Sequence, residues 1–301
     1  MSSSRSFAQI DVFTATPCLG NPVAVVLDGS GLDDAAMQRF ARWTNLSETT
    51  FVLPSTDATA DYALRIFTPG GELPFAGHPT LGACFAWLAA GGQPKSPERI
   101  VQQCAQGLVP IRREGERLAF AAPPMRASDP APALLAEVAQ ALGVTTAQVR
   151  RAQMLDNGPQ WLTLLLDSAD TVLALEPDHA RLAALGKKVG VAGVHTAPAA
   201  TPLIARSSRE ARAFGPAAEA PLIEVRAFAA PIGVHEDPVT GSLNASVAQW
   251  LIEAGELPAR YVAAQGAALG RAGRVHVARD AAGQVWVGGQ CVGCIRGEVF
   301  L

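Results

Sequence analysis

Apolar and polar residues alternate along much of this chain, and two segments that are apolar on every side break the alternation. The alternating stretches predict strands at residues 7–14, 21–27, 48–53, 62–67, 100–101, 107–112 and 117–120. Residues 33–43 have helical spacing instead, with Met37, Phe40 and Ala41 on one face and Asp33 and Asp34 in the first turn. A Pro- and Ala-rich stretch at 121–132 reads as a linker. Beyond it the pattern predicts helices at 133–142, 177–189 and 242–254. Strands are predicted at 149–155, 161–166, 193–197 and 222–228, and more from Tyr261 onward.

The two all-apolar segments are the most informative. One carries Leu81, Ala83, Cys84, Phe85, Ala86, Trp87 and Leu88, within a predicted helix at 80–90 closed by Gly91-Gly92. The other carries Leu243, Val247, Ala248, Trp250, Leu251 and Ile252, with only Asn244, Ser246 and Gln249 between them. A helix apolar all round must be enclosed, and a curved sheet wrapped around it would enclose it. Aligning Trp87 with Trp250 brings the turn at Gly77 within one position of the turn at Gly241. The chain therefore reads as two copies of one device: strands, a tight turn, a buried helix, more strands. The order differs from regular βαβ alternation and points to an α+β fold. Two helix starts with small, polar entrances suit an anion such as a carboxylate, because free N–H groups and positive dipole ends face it. The candidate anion-binding residues are Gly77, Thr80, Thr240 and Gly241.

Composition narrows the function. With 301 residues, 49% of them hydrophobic and 17% charged, two packed domains are expected. A net charge of −3 argues against a nucleic-acid partner. No apolar run approaches a membrane span, and no secretory segment opens the chain. Five scattered cysteines fit a reducing cytoplasm, and the lone Cys291-x-x-Cys294 lies in a strand-like stretch, unlike a metal site. His179, His195 and His276 have no recognisable partners in the sequence.

Chemistry is expected at the helix starts. His78 follows Gly77. Asp237 precedes Ser242 by one tight turn, which can return its carboxylate to the helix mouth. Glu48 opens a strand otherwise bound for the core, and a buried carboxyl has its pKa raised toward the range of a general acid–base group.

These residues sit in motifs that resemble the phenazine-biosynthesis isomerase-like (PhzF-like) family. The motifs are Asp11-Val12-Phe13-Thr14, Gly20-Asn21-Pro22-Val23, Asn45-Leu46-Ser47-Glu48-Thr49, Arg65-Ile66-Phe67-Thr68-Pro69, Phe75-Ala76-Gly77-His78-Pro79-Thr80 and Glu236-Asp237-Pro238-Val239-Thr240-Gly241-Ser242. They occur in the family's order and span most of the chain. The resemblance implies a fold similar to diaminopimelate epimerase: two pseudo-symmetric domains, each a curved, mostly antiparallel sheet around a central helix, with the active site between them. The expected division is 1–121 and 122–289, with a last strand at about 290–301 returning to the first domain. The resemblance further implies that Glu48 is the acid–base residue, that His78, Asp237 and Ser242 orient substrate and assist proton transfer, and that no metal or organic cofactor takes part. The type reaction is isomerisation of trans-2,3-dihydro-3-hydroxyanthranilate, a small carboxylate, by a homodimer. Two alternatives stand beside it: an epimerase or racemase of the related fold using two thiols, and a non-catalytic binding relative. Against the thiol pair, Gly77 and Asp237 stand near the places where that family carries cysteines.

Overall fold

The computed structural model describes residues 3–195 and 220–301. Strand β1 (Ser4–Val12) turns back as antiparallel β2 (Asn21–Val26). Helix α1 (Asp34–Thr44) carries the chain to β3 (Thr49–Leu53), parallel to β2. Next come antiparallel β4 (Tyr62–Thr68) and the short β5 (Gly71–Leu73). Helix α2 (Gly77–Ala89) then leads to β6 (Arg99–Cys104), parallel to β4, and the meander β7 (Gly107–Glu114) and β8 (Arg117–Ala121) follows.

After the short β9 (Arg126–Ser128) and α3 (Pro132–Leu142), the same order of connections recurs. Strands β10 (Val149–Asp156) and β11 (Gln160–Leu166) are antiparallel. Helices α4 (Ala169–Leu173) and α5 (His179–Ala184) cross to β12 (Lys188–Val194), parallel to β11. Antiparallel β13 (Ile223–Phe228), helix α6 (Gly241–Glu253) and β14 (Arg260–Gln265), parallel to β13, come next. Strands β15 (Gly273–Arg279) and β16 (Val285–Phe300) complete the described chain.

The long β16 joins the two halves. Its first residues pair with β15 on one side and β8 on the other, and from Cys291 onward it pairs with β1. Hydrogen bonding thus closes a ring β1-β2-β3-β4-β6-β7-β8-β16. Helix α2 touches β1, β2, β3, β4, β8 and β16; its residues from Gly77 to Cys84 and Ala86 are buried, while Phe85, Trp87 and Leu88 stay partly exposed. Helices α2 and α6 share one hydrophobic core, in which Leu81, Phe120 and Leu243 are fully buried. Each such side chain contributes about 1.5–3 kcal/mol of transfer free energy. Helix α1 has one apolar face, buries Met37, Phe40 and Ala41, and packs outside the ring.

Three expectations change. The helix expected at 177–189 is the short α5, which is followed by a left-handed Gly186 (φ 64°). Lys188 and Val189 belong to β12, because the run Val189-Gly190-Val191-Ala192 is buried between β11 and β13. The strand expected at 193–197 is therefore β12, shifted toward the N-terminus; positions 196 and 197 lie outside the described residues. The proline-rich stretch carries β9, whose Arg126 pairs with Asp156. The three histidines also have partners: His179 stacks on His235 with centroids 4.8 Å apart, His195 lies 3.4 Å from Glu224, and His276 Nδ1 lies 2.9 Å from Arg117. Among the described residues no helix is long and apolar enough to cross a membrane.

Candidate active site

The two helix starts meet. A Cβ on Gly77 would lie 2.6 Å from Phe120 Cζ and 3.4 Å from Gly241 Cα, and one on Gly241 would lie 3.2 Å from Gly77 Cα and 3.3 Å from His78 N. At Gly77 a side chain would collide with the Phe120 ring, and at Gly241 it would press on the backbone of Gly77 and His78. Neither helix has a side-chain cap. The first helical bonds run from Thr80 N to Ala76 O (3.2 Å) and from Asn244 N to Thr240 O (3.0 Å). The N–H groups of Gly77, His78, Gly241 and Ser242 precede those bonds and have no acceptor among the described residues. Two positive helix ends therefore converge on one spot.

Glu48 stands beside them. Asn45 ends α1 in the left-handed conformation (φ 53°), and the chain then turns through Leu46 and Ser47 into β3. Glu48 O accepts from Ala24 N, which fixes the turn to β2. The carboxyl is 15% exposed, and Glu48 Oε2 lies 3.3 Å from Nε2 of the buried His78. The proximity is not a formed hydrogen bond, since neither atom has a partner in acceptable geometry. Burial pushes the Glu48 carboxyl up to about 7, against the Ser47 side chain and the charge of Lys188. Burial pushes the His78 imidazole down to about 4, against the charge of Asp237 and the Pro22 carbonyl. Near neutral pH the contact thus joins an uncharged imidazole to a carboxyl poised between its two forms. It is not an ion pair. A carboxyl so poised can both take and return a proton.

Asp237 reaches the site from the loop between β13 and α6. Its N–H is tied to Ala227 O (2.9 Å), and its carbonyl accepts from Gln265 Nε2 (3.0 Å). One carboxylate oxygen accepts from Asn21 Nδ2 (2.9 Å), the other from Thr240 Oγ1 (2.5 Å). Burial still raises its pKa, with the Glu48 charge adding to the effect. Asn21, the first residue of β2, also donates to Val239 O (2.8 Å) and lies 3.4 Å from His78 Nδ1. It bolts the loop before α6 to the first half of the molecule. Gln265 supports the arrangement from β14: it accepts from Thr240 N (3.0 Å) and Asn244 Nδ2 (2.9 Å) and donates to Thr240 Oγ1 (3.0 Å).

Ser242 Oγ accepts from Trp161 Nε1 (3.2 Å), and Ser242 O accepts from Asn157 Nδ2 (2.9 Å). The Ser242 hydroxyl proton remains available for donation. Thr80 differs from the other sequence candidates. Its hydroxyl is buried and accepts from Gln102 Nε2 (3.0 Å), while its N–H closes the first helical bond. Glu48, His78, Asp237, Ser242, Gly77, Thr240 and Gly241 are brought together. Thr80 sits one turn deeper, in the wall.

The local sequence pattern does not single out Asn21, Gln265 or Lys188 as functional. Asn21 was visible as an amide opening a buried strand. Lys188 Nζ lies 5.7 Å from the Trp161 ring centroid; its charge acts on Glu48, and the charges of Glu48 and Asp237 act on it.

Known proteins share this arrangement of chain. The model for phenazine biosynthesis-like proteins (PhzC-PhzF) matches residues 10–297. Antisense-enhancing sequence 1 of Schizosaccharomyces pombe is 36% identical over 313 residues, covering 99% of this chain and 100% of that protein. A trans-2,3-dihydro-3-hydroxyanthranilate isomerase of Pseudomonas aeruginosa is 32% identical over 307 residues, covering 98% of this chain and 99% of that protein. A crystal structure of a Bacillus anthracis phenazine biosynthesis protein of the PhzF family superposes with a TM-score of 0.80 at 22% identity, covering 99% of this chain and 100% of that one. With a family model matching nearly its whole length, this chain belongs to the PhzC-PhzF family of phenazine biosynthesis-like proteins.

Proposed function

We propose that this protein is an isomerase that moves a proton between carbons of a small carboxylate, in the manner of trans-2,3-dihydro-3-hydroxyanthranilate isomerase. The observation that carries the reading is Glu48: a carboxyl 15% exposed, raised to about 7, beside two uncapped helix starts. The substrate carboxylate rests on the N–H groups of Gly77, His78, Gly241 and Ser242. Glu48 takes a proton from one carbon and returns it to another, which typically contributes about 10²–10⁴-fold to rate. His78, uncharged, borders the Glu48 carboxyl and donates or accepts according to its tautomer. Asp237, Thr240 and Asn21 hold the second helix start in place, and the Ser242 hydroxyl orients substrate. The thiol alternative finds no support here: Cys84 is buried within α2, and burial pushes its thiol up to about 12.

The same reading takes the halves of the chain, 1–121 and 122–289, as pseudo-symmetric units around α2 and α6, in a cytoplasmic homodimer. The relative named as an isomerase supports the reaction class. The test is solvent exchange. In D₂O, with a panel of unsaturated and amino-substituted carboxylic acids that includes trans-2,3-dihydro-3-hydroxyanthranilate, the native protein exchanges a substrate C–H proton. Glu48→Gln abolishes exchange while its circular dichroism is unchanged. Undiminished exchange in the variant would overturn the proposal.

A further inference from the structure

Lys188 has no use in the chemistry so far. It is the first residue of β12, a strand whose following residues are buried, and it pairs with Trp161 across the parallel β11–β12 register. The side chain is half-buried, so its ammonium has lost part of its hydration. Among the described residues nothing ion-pairs or hydrogen-bonds to Nζ; its near neighbour is the Trp161 ring, with the centroid at 5.7 Å. The cleft carboxylates do not take up its three donors. Asp237 already has one oxygen on Asn21 and the other on Thr240, and Glu48 lies beside His78. Burial lowers the Lys188 pKa while Glu48 and Asp237 oppose that effect, so the ammonium shares their electrostatic environment.

Trp161 relates this cation to the helix starts. Its Nε1 donates to Ser242 Oγ at the opening of α6 (3.2 Å), and its face lies under Lys188 Nζ. The same indole thus contacts Ser242 with its Nε1 edge and Lys188 with its face. A half-buried ammonium with unused donors beside the cleft is a ready receptor for an anion.

We propose that Lys188 receives a second carboxylate of the substrate, so that this site prefers a small dicarboxylate: one acid group on the helix-start N–H groups, the other on Nζ. The inference rests on the carboxylate-binding reading of those helix starts. The acid on Nζ makes a charge-assisted contact, worth about tenfold or more in affinity.

The test is calorimetric titration of the whole protein with succinate, glutarate and adipate, each against the monocarboxylate of equal chain length. The native protein prefers the best-fitting diacid by about tenfold or more. Lys188→Met reduces the preference to within about twofold, and Lys188→Arg, which keeps the charge, retains it. Equal binding of diacid and monoacid by the native protein, or a preference that survives in Lys188→Met, would overturn the role of Lys188 alone. Binding of neither acid would overturn the carboxylate site beneath it. A Lys188→Met protein with a lowered urea midpoint is replaced by Lys188→Gln, and the same criterion applies.

Discussion

Replacing Glu48 by Gln changes stability in a way that depends on pH, and the sign of the change tests how the site holds its proton. The Glu48 carboxyl moves from 4.5 to about 7 on folding because burial disfavours its charged form. Below pH 4.5 it is protonated in both states. As pH rises above that value the unfolded chain gives up its proton while the folded chain keeps it. The stability contributed by Glu48 is thus fully present below 4.5 and is lost as pH rises through about 7. At about 1.4 kcal/mol per pH unit the loss comes to about 3 kcal/mol. The His78 imidazole, lowered from 6.5 to about 4, behaves oppositely: its contribution is present above 6.5 and is lost as pH falls through about 4. Over about pH 4.5–6.5 the two slopes nearly cancel, because folding transfers one proton from imidazole to carboxyl.

Gln keeps the shape of a neutral carboxyl and cannot titrate. Urea denaturation of both proteins between pH 4 and 7.5 therefore gives a difference, native minus Glu48→Gln, that falls by about 3 kcal/mol as pH rises. The variant alone shows the uncompensated rise due to His78. Groups that titrate equally in both proteins drop out of the difference. A flat difference curve would mean that burial leaves the Glu48 carboxyl untouched. A difference that rises with pH would mean a true Glu48–His78 ion pair, and either result would refute the assignment of the proton to Glu48.

Two further substitutions probe the frame. Gly77→Ala places a methyl 2.6 Å from Phe120 Cζ in packed surroundings, so the ring or the helix start must shift. About 1–3 kcal/mol of stability is lost, together with most proton exchange; a Gly77→Ala protein of native urea midpoint and native exchange rate would disprove the close approach. Thr240→Val preserves volume but removes the donor to Asp237 and the acceptor for Gln265. It costs about 1–3 kcal/mol and slows exchange, Thr240→Ser restores both, and a valine variant equal to native would show that Asp237 needs no such support.

Much of this was legible in the sequence, and what was hidden follows a physical pattern. Helices α2 and α6 were visible because an all-apolar helix with a glycine at its mouth has few other places to go. Glu48 was visible as a charge at the head of a core strand. Lys188 was not, because residues 177–189 have helical spacing and β12 exists only through pairing with β11 and β13, remote in sequence. Asn21 reads locally as a turn residue, and its function needs Asp237, 216 positions away. Thr80 was legible as a helix-start residue but not as one already engaged, since Gln102 arrives from β6. Local patterns predict elements well; which hydrogen bonds are already taken is a property of the assembled fold.

On the proposed reading, in which a substrate carboxylate rests on the two helix starts, their meeting also bears on the proton affinity of Glu48 during turnover. A carboxylate entering beside a carboxyl would ordinarily raise the carboxyl's pKa further, because like charges disfavour a second ionisation. Here the incoming charge is met by two helix ends, each equivalent to about half a positive charge, which together offset about one negative charge. The close approach at Gly77 and Gly241 allows both ends to act on the same group. The entering acid is then nearly neutralised where it binds. The occupied site then presents little net charge to Glu48, so its carboxyl rises less far than it would beside an uncompensated acid. A single helix start would bind the same acid but leave about half its charge uncompensated beside Glu48, driving the carboxyl toward its protonated form and away from the base the reaction needs.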